Sequence, residues 1–468
     1  MPSPRSSVAV EAESHPFVRR PHRTLVGLSL PVLFSLIAEP LTGLVDTAFV
    51  ARLGAAPLAA LGVATVLLSS VFWIFNFLGV GTQTEVARAD GAGRHAAARD
   101  AAGQALALAA VLGALLAAVA WPFLGAAAVA MGAQGAMGEG AVVYLRIRLL
   151  GGPAILLTVA AFGALRGLQD MRTPLWIAVG INALNAVLDA LLIFGTGPVP
   201  ALGIAGAAWA TTASQWLGAL WALAAVHRRL GFAGSLRWRD AVTLLTVGRD
   251  LFVRTGLLIA FLLVATRAAT RMGADAGAAH QAIRQIWVFT ALLLDAYAAT
   301  AQSLVSYFLG ASRVSLARRV AGVACVWGLG TGALLTLAML LAEAGVALLL
   351  VPAEARGVFA SAWLPAALAQ PLNALSFVTD GIHWGTGDYR YLRNAMLMAT
   401  GLGLLGLFSL PAGGPHALTA VWAVTGGWIA VRCAFGIARV WPGIGRSPLR
   451  SPAAVVRAEP SAAGGTGL

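Results

Sequence analysis

Long apolar stretches follow one another along almost the whole chain and are separated by short segments that carry arginine. Of the 468 residues, 59% are hydrophobic and only 11% are charged. A water-soluble chain carries roughly 25% charged residues, because it needs a solvated surface. A stretch of about 20 apolar residues is long enough to cross a bilayer as a helix. The sequence therefore predicts an all-α integral membrane protein.

Twelve apolar stretches can be distinguished, and we predict that each forms one transmembrane helix. Gly and Pro occur inside them, as membrane helices tolerate. Residues 1–23 are polar and proline-rich and do not resemble a cleavable signal peptide. The predicted spans are 26–50, 58–86, 101–130, 140–164, 175–195, 203–226, 251–270, 281–308, 320–350, 358–384, 392–411 and 417–438.

The net charge is +13, and the basic residues are arginines placed singly between spans rather than clustered on one face. This pattern is typical of topology signals and argues against a nucleic-acid partner. The arginine-rich segments are every second connection and both tails: Arg19, Arg20 and Arg23; Arg88, Arg94 and Arg99; Arg166 and Arg172; Arg228, Arg229, Arg237, Arg239 and Arg249; Arg313, Arg318 and Arg319; Arg390 and Arg393; Arg446, Arg450 and Arg457. The positive-inside rule then predicts a multi-pass protein of the cell's inner (plasma) membrane, surrounded by lipid, with both termini in the cytoplasm.

The chain also repeats itself at an offset of about six spans. Gln83 recurs as Gln302, 219 residues later, and Pro153 recurs as Pro371, 218 residues later. An offset of six spans keeps each repeated helix in the same orientation, so we expect two six-helix bundles related by a pseudo-two-fold axis along the membrane normal. The predicted boundaries are a cytoplasmic tail at 1–23, an N-lobe at 24–235, a C-lobe at 236–445 and a disordered cytoplasmic tail at 446–468. This duplication is typical of a transporter that alternates access by rocking its lobes, and it disfavours a receptor or channel.

Carboxylates inside predicted spans mark the first candidate site. Glu39 and Asp46 lie seven residues apart on the first helix, and Asn182, Asn185 and Asp189 form a stripe on the fifth. A charged side chain at the bilayer centre costs roughly 2.5–3.5 kcal/mol on insertion scales, so each is a functional hypothesis. Two carboxyl groups in one apolar site favour sharing a proton, because their charges repel and are poorly solvated.

Hydroxyl groups on two other N-lobe helices are placed to complete this polar cluster. Tyr144 lies on the fourth span and Thr211 on the sixth. Each is also compatible with an ordinary bond between packed helices, so the sequence leaves both readings open.

The C-lobe offers candidates for a substrate cleft. Asp295 falls 219 residues after Asn76, so both lobes keep a polar side chain at that point, and Asp380 has no counterpart in the N-lobe. Arg284 is placed to neutralise either carboxylate, and such a pair would be structural rather than part of a substrate site. The predicted cleft residues are Asp295, Asp380, Asn76, Asn182 and Arg284.

No motif in the sequence indicates an enzyme, a cofactor or a metal centre. The stretch GVGT at 79–82 lacks the Lys-Ser/Thr of a phosphate-binding loop, and two cysteines make no metal or disulfide framework. We therefore expect transport to be driven by an ion gradient, with H⁺ as the coupling ion and Na⁺ as the alternative.

Several stretches together resemble the multidrug and toxic compound extrusion (MATE) family. They are PLTGLVDTAFVARLG at 40–54, FLGVGTQTEVARADGAG at 77–93, GALRGLQDMRTP at 163–174 and NALNAVLDALLIFG at 182–195. Two C-terminal stretches, at 278–311 and 371–390, look like the DinF-like branch of that family.

This resemblance implies a secondary active antiporter, expected to be monomeric, that exports bulky and often cationic organic compounds. By motif, the residues that match the family's N-lobe cation site are Asp46, Tyr144, Asn185, Asp189 and Thr211. The glutamate that sodium-coupled members carry on the seventh helix is not evident in LLIAFLLVATRAA at 257–269, which favours protons. Glu39, immediately before Pro40, departs from the small or apolar residue expected there.

A flippase for lipid-linked precursors, from the same superfamily of folds, is the alternative function. It would need a basic cleft for a pyrophosphate group. Arg146 and Arg148 are the obvious candidates for such a cleft.

Overall fold

The computed structural model describes residues 12–195, 198–231, 235, 238–411, 414, 416–441 and 443–450. Side chains of Glu39 and of residues 236–240 lie outside this description, so the prediction made for Glu39 falls outside it too. The same holds for residues 1–11 and 451–468 of the predicted tails.

The described residues fold into α-helices joined by short connections. A one-turn helix, α1 (Pro16–Arg19), comes before the first long one. The helices up to residue 230 are α2 (Pro21–Ala51), α3 (Ala55–Trp73), α4 (Phe77–Gly91), α5 (His95–Ala120), α6 (Leu124–Ala130), α7 (Gly135–Leu149), α8 (Gly152–Gly167), α9 (Arg172–Phe194) and α10 (Ile204–Leu230). Those after it are α11 (Trp238–Arg271), α12 (Ala274–Gly310), α13 (Val314–Leu350), α14 (Arg356–Leu368), α15 (Gln370–Thr386), α16 (Tyr389–Phe408) and α17 (Ala417–Val440).

Four of the predicted spans, 58–86, 101–130, 140–164 and 358–384, each consist of two consecutive helices. A 3₁₀ turn at Ile74–Asn76 joins α3 to α4, and α7 meets α8 at an angle of 49°. Proline stands in the first turn of α8 and of α15, where its missing N–H disrupts no helical hydrogen bond. In the described part of the chain, nine helices are long and apolar enough to cross a membrane, and the bent α7–α8 pair makes a tenth. With α10 and the α14–α15 pair, the chain traces the twelve passes that the sequence predicts.

The chain divides into two compact units. Residues 26–252 form the N-unit, and residues 1–25 and 253–468 form the C-unit. The change from one to the other falls inside α11, and the segment before α2 belongs with the second half of the chain. Phe17 is fully buried with its ring 5.9 Å from that of Phe308, and Arg313 makes an ion pair of 2.5 Å with Glu13.

Each unit contains the same close helix contacts, as the internal repeat predicts. A Cβ atom at Gly167 would lie 2.9 Å from the carbonyl oxygen of Gln83, and one at Gly385 would lie 2.7 Å from that of Gln302. Both are closer than carbon and oxygen can approach, so only glycine lets α8 pack on α4 and α15 pack on α12 at this distance. The repeated glycines therefore allow the same close packing of two helices in each unit.

Candidate functional site

Five side chains predicted to form a cation site come together inside the N-unit. Each has 6% or less of its surface exposed, and they come from four helices. They are Asp46 on α2, Tyr144 on α7, Asn185 and Asp189 on α9, and Thr211 on α10. Asn185 and Asp189 share a face because they are one helical turn apart.

Hydrogen bonds link the members of this cluster through Thr211. The Nδ2 of Asn185 donates to Thr211 Oγ1 at 3.2 Å. The Thr211 hydroxyl lies 3.3 Å from Asp46 Oδ2 and 2.9 Å from the Ala207 carbonyl, so either oxygen accepts its single proton. The carboxyl groups of Asp46 and Asp189 are close enough to share a hydrogen bond when one is protonated.

Four acceptor oxygens in the cluster have no donor. They are Asp46 Oδ1, Asn185 Oδ1 and both carboxylate oxygens of Asp189. A buried acceptor without a donor is destabilising, and an unpaired buried charge is more so. The arrangement therefore suits a proton or a small cation, either of which would satisfy these oxygens.

Arg148 adds a positive charge next to the two carboxylates. It lies one turn after Tyr144 on α7, is only 8% exposed, and interacts electrostatically with Asp46 and Tyr144. Its Nη1 donates to Gln215 Oε1 at 2.6 Å. Arg146, two residues away, is exposed. The two arginines therefore do not form the single basic cleft that a lipid-linked pyrophosphate would need.

Asn182, predicted to line the cleft, bonds α9 to the first long helix. Its Nδ2 donates to the Ala38 carbonyl at 2.7 Å, and its Oδ1 accepts from the Thr42 hydroxyl. Pro40 lies between those two residues and lacks the N–H that would continue the helical hydrogen bonds. Asn182 thus supports α2 where its own backbone bonding is interrupted.

Of the remaining predicted cleft residues, Asn76 lies in the N-unit, and Asp295 and Arg284 lie in the C-unit. Asn76 is exposed in the 3₁₀ turn that precedes α4, and Asp295 is half-buried on α12. Arg284, also on α12, donates from Nε to Gln281 at 3.2 Å. The alternative that Arg284 pairs with Asp380 does not hold, because Asp380 is paired with two other arginines.

Arg254 on α11 and Arg432 on α17 are the residues that sequence reasoning missed. Arg254 Nη2 bonds Asp380 Oδ2, and Arg432 Nη2 bonds the same oxygen at 2.9 Å. All three side chains are buried. They were missed because arginine was interpreted as a topology signal, although a lone arginine within an apolar run is as costly as a carboxylate.

Two other carboxylates, near helix ends, make ion pairs with arginines. Asp170 lies 2.9 Å from Arg229, and Asp388 lies 2.7 Å from Arg439. These contacts tie neighbouring helices together at their ends and are separate from the buried clusters.

The model of the MatE family matches residues 31–191 and 253–408, which is more than half of the chain. The chain belongs to the MatE family. This MatE protein is 32% identical to Protein DETOXIFICATION 44, chloroplastic, of Arabidopsis thaliana over 435 residues, covering 89% of this chain and 81% of that protein. It is 30% identical to the DNA damage-inducible protein F of Escherichia coli over 445 residues, covering 93% and 95% of the two chains.

A solved structure supports the fold of this MatE protein. It is an outward-facing conformation of a multidrug resistance MATE family transporter, with a TM-score of 0.81 at 23% identity, covering 91% of this chain and 97% of that one. By its family match and its curated relatives, the MatE protein is a multi-pass membrane transporter of an efflux family rather than an enzyme. The family match includes Asp46, Asp189 and Asp380 but not Thr211 or Arg432.

Proposed function

We propose that this MatE protein is a secondary active antiporter that exports organic compounds in exchange for protons. The observation that carries the proposal is the buried Asp46–Asp189 pair, whose carboxylate oxygens include three without a donor. A proton bound between the two groups satisfies the acceptors and removes one of two repelling charges. Protonation of this pair therefore changes the stability of the N-unit conformation that holds the two carboxyl groups together.

The charges around this pair set how many ions bind. Two carboxylates and the neighbouring Arg148 sum to one negative charge when both acids are ionised. One monovalent cation brings the buried site to neutrality, and a second would leave it positive. We therefore propose one coupling ion per transport cycle.

The coupling step that we propose acts on α2. A shared proton holds Asp46 on α2 against Asp189 on α9, whereas two ionised groups repel each other. The same two helices are joined through Asn182 beside Pro40. Gain or loss of the proton thus changes the force between α2 and α9 near Pro40, where the helical hydrogen bonding of α2 is interrupted. This links proton exchange to a change of conformation.

Substrate-induced proton release tests this proposal. Purified protein in a weakly buffered detergent solution should release one proton for each substrate molecule bound, and everted vesicles should take up substrate only while a proton gradient exists. Uptake that survives collapse of the proton gradient and requires Na⁺ would show that the coupling ion is sodium.

Sodium coupling is the second candidate, because the four oxygens without a donor would also serve as ligands for Na⁺. Varying Na⁺ at constant pH separates the two ions. We further propose that the transporter works as a monomer in the inner (plasma) membrane with both termini cytoplasmic, as the arginine distribution favours.

A further inference from the structure

The three buried residues Arg254, Asp380 and Arg432 form what we call the arginine–aspartate cluster. They lie in the C-unit on three helices and are 8%, 6% and 5% exposed. Both guanidinium groups bond the same carboxylate oxygen of Asp380. Two positive charges and one negative charge leave a surplus of one positive charge in the interior of the unit.

This cluster has more hydrogen-bond donors than acceptors. Arg254 Nε, Arg432 Nε and Arg432 Nη1 are buried and have no acceptor. The guanidinium of Arg432 lies 4.6 Å from the ring centre of Trp428, and that of Arg254 lies 5.4 Å from the ring of Trp384. Aromatic faces stabilise a cation in part but offer no acceptor for its N–H groups. A bound anion would neutralise the surplus positive charge and would accept hydrogen bonds from the N–H groups that lack an acceptor.

A row of polar side chains on α15 lies on the N-terminal side of Asp380. Gln370, Asn373 and Ser376 precede Asp380 at spacings of three, three and four residues, which places them on one helical face. Each is 1% exposed or less, and Gln370 Nε2, Asn373 Oδ1 and Ser376 Oγ have no partner. Buried polar groups without partners are rare in folded proteins and suggest a ligand or ordered water.

We propose that the arginine–aspartate cluster binds the carboxylate of an organic anion. The donors of Arg254 and Arg432 that lack acceptors hold the carboxylate, as guanidinium groups do when they meet a planar anion. The row of polar side chains on α15 takes the polar groups of the same molecule, and Trp384 and Trp428 face its apolar part. This inference rests on the proposed transport function, because it identifies the exported compound as a carboxylate-bearing one.

The charge balance around Asp380 also argues against a cationic compound at this site. The negative charge of Asp380 is already matched by one arginine and exceeded by two. A cation placed here would face a site of its own sign, in surroundings that screen charge weakly. The cluster therefore discriminates against cations and in favour of anions.

Equilibrium binding of two dyes to the purified full-length protein tests the proposal. Carboxyfluorescein carries carboxylates, and rhodamine 6G has the same ring system with a positive charge and an esterified carboxyl group. Fluorescence anisotropy should show saturable binding of carboxyfluorescein. Arg432→Gln, which leaves Asp380 paired with Arg254, should weaken that binding roughly 10- to 100-fold, as expected for loss of a charged hydrogen bond.

Variants of different charge sharpen the test. Asp380→Asn raises the surplus to two positive charges and should tighten carboxyfluorescein binding, whereas Arg432→Lys keeps the charge and should lie between wild type and Arg432→Gln. Arg356→Gln is the matched control, because it removes an exposed arginine of the same unit that donates to the Val351 carbonyl at 3.4 Å. Thermal unfolding of each variant without dye identifies any that fail to fold.

Two results would overturn the anion site: no saturable binding of carboxyfluorescein by the wild-type protein, or equal binding by wild type and Arg432→Gln. Binding at equilibrium needs no gradient, so this outcome is independent of proton coupling. A failure of the proposed antiport would appear instead as vesicle transport of a bound dye that ignores the proton gradient.

Discussion

Asp46 and Asp189, on two different helices, bring their carboxyl groups within reach of a shared hydrogen bond in the interior of the N-unit. Neither oxygen of Asp189 has a donor in this arrangement. The pair is therefore complete only when a cation or a proton joins it, and this property makes it the centre of the proposed mechanism.

Replacing either acid by its amide should abolish coupled export. Asp46→Asn and Asp189→Asn keep the side-chain volume but cannot gain or lose the proton, so substrate-induced proton release should fall to background while the protein remains folded and inserted. Asp170→Asn, which removes a carboxylate near a helix end, is the control and should retain transport. Proton release at wild-type levels in both pair variants would contradict the mechanism.

Thr211→Val should destabilise the protein and impair transport. The change leaves Asp46 Oδ2 and Asn185 Nδ2 without the hydroxyl between them, and an unsatisfied buried group costs about 1–3 kcal/mol. Thermal unfolding in detergent measures the loss. Thr47→Val, at an exposed threonine that bonds the backbone of its own helix, should change the unfolding temperature far less.

Gly385→Ala should destabilise the C-unit, because the added methyl group would lie 2.7 Å from the Gln302 carbonyl oxygen and force α15 away from α12. The cost of such overpacking is typically about 1–3 kcal/mol. Gly330→Ala is the control, since no atom lies within 4 Å of the new Cβ position. Unfolding temperatures of the two variants that do not differ would argue against the close packing of these helices.

Both termini should lie in the cytoplasm. In a background without Cys325 and Cys433, single cysteines at the exposed positions Gln134 and Arg228 should react differently with an impermeant thiol reagent added to intact cells. We expect labelling at Gln134 and none at Arg228, because the arginine-rich connections stay inside. The reverse pattern would invert the topology.

The sequence alone determined the parts of this protein that depend on local or periodic properties. Apolar length defines a span because every backbone polar group in lipid must bond within its own helix. The recurrence of Gln83 as Gln302 and of Pro153 as Pro371 predicted the duplication, and Gly167 and Gly385 make the same close contact in the two units. Asn185 and Asp189 were recognisable because one helical turn separates them.

Tertiary structure alone decided which charges meet. Asp380 and Arg254 are 126 residues apart, and Asp380 and Arg432 are 52 apart, so no local pattern joins them. Arg284 was the arginine considered for Asp380 from the sequence, yet it bonds Gln281 on its own helix. An ion pair in lipid depends on which helix faces pack together, and apolarity specifies that a helix is in the membrane without specifying its neighbour.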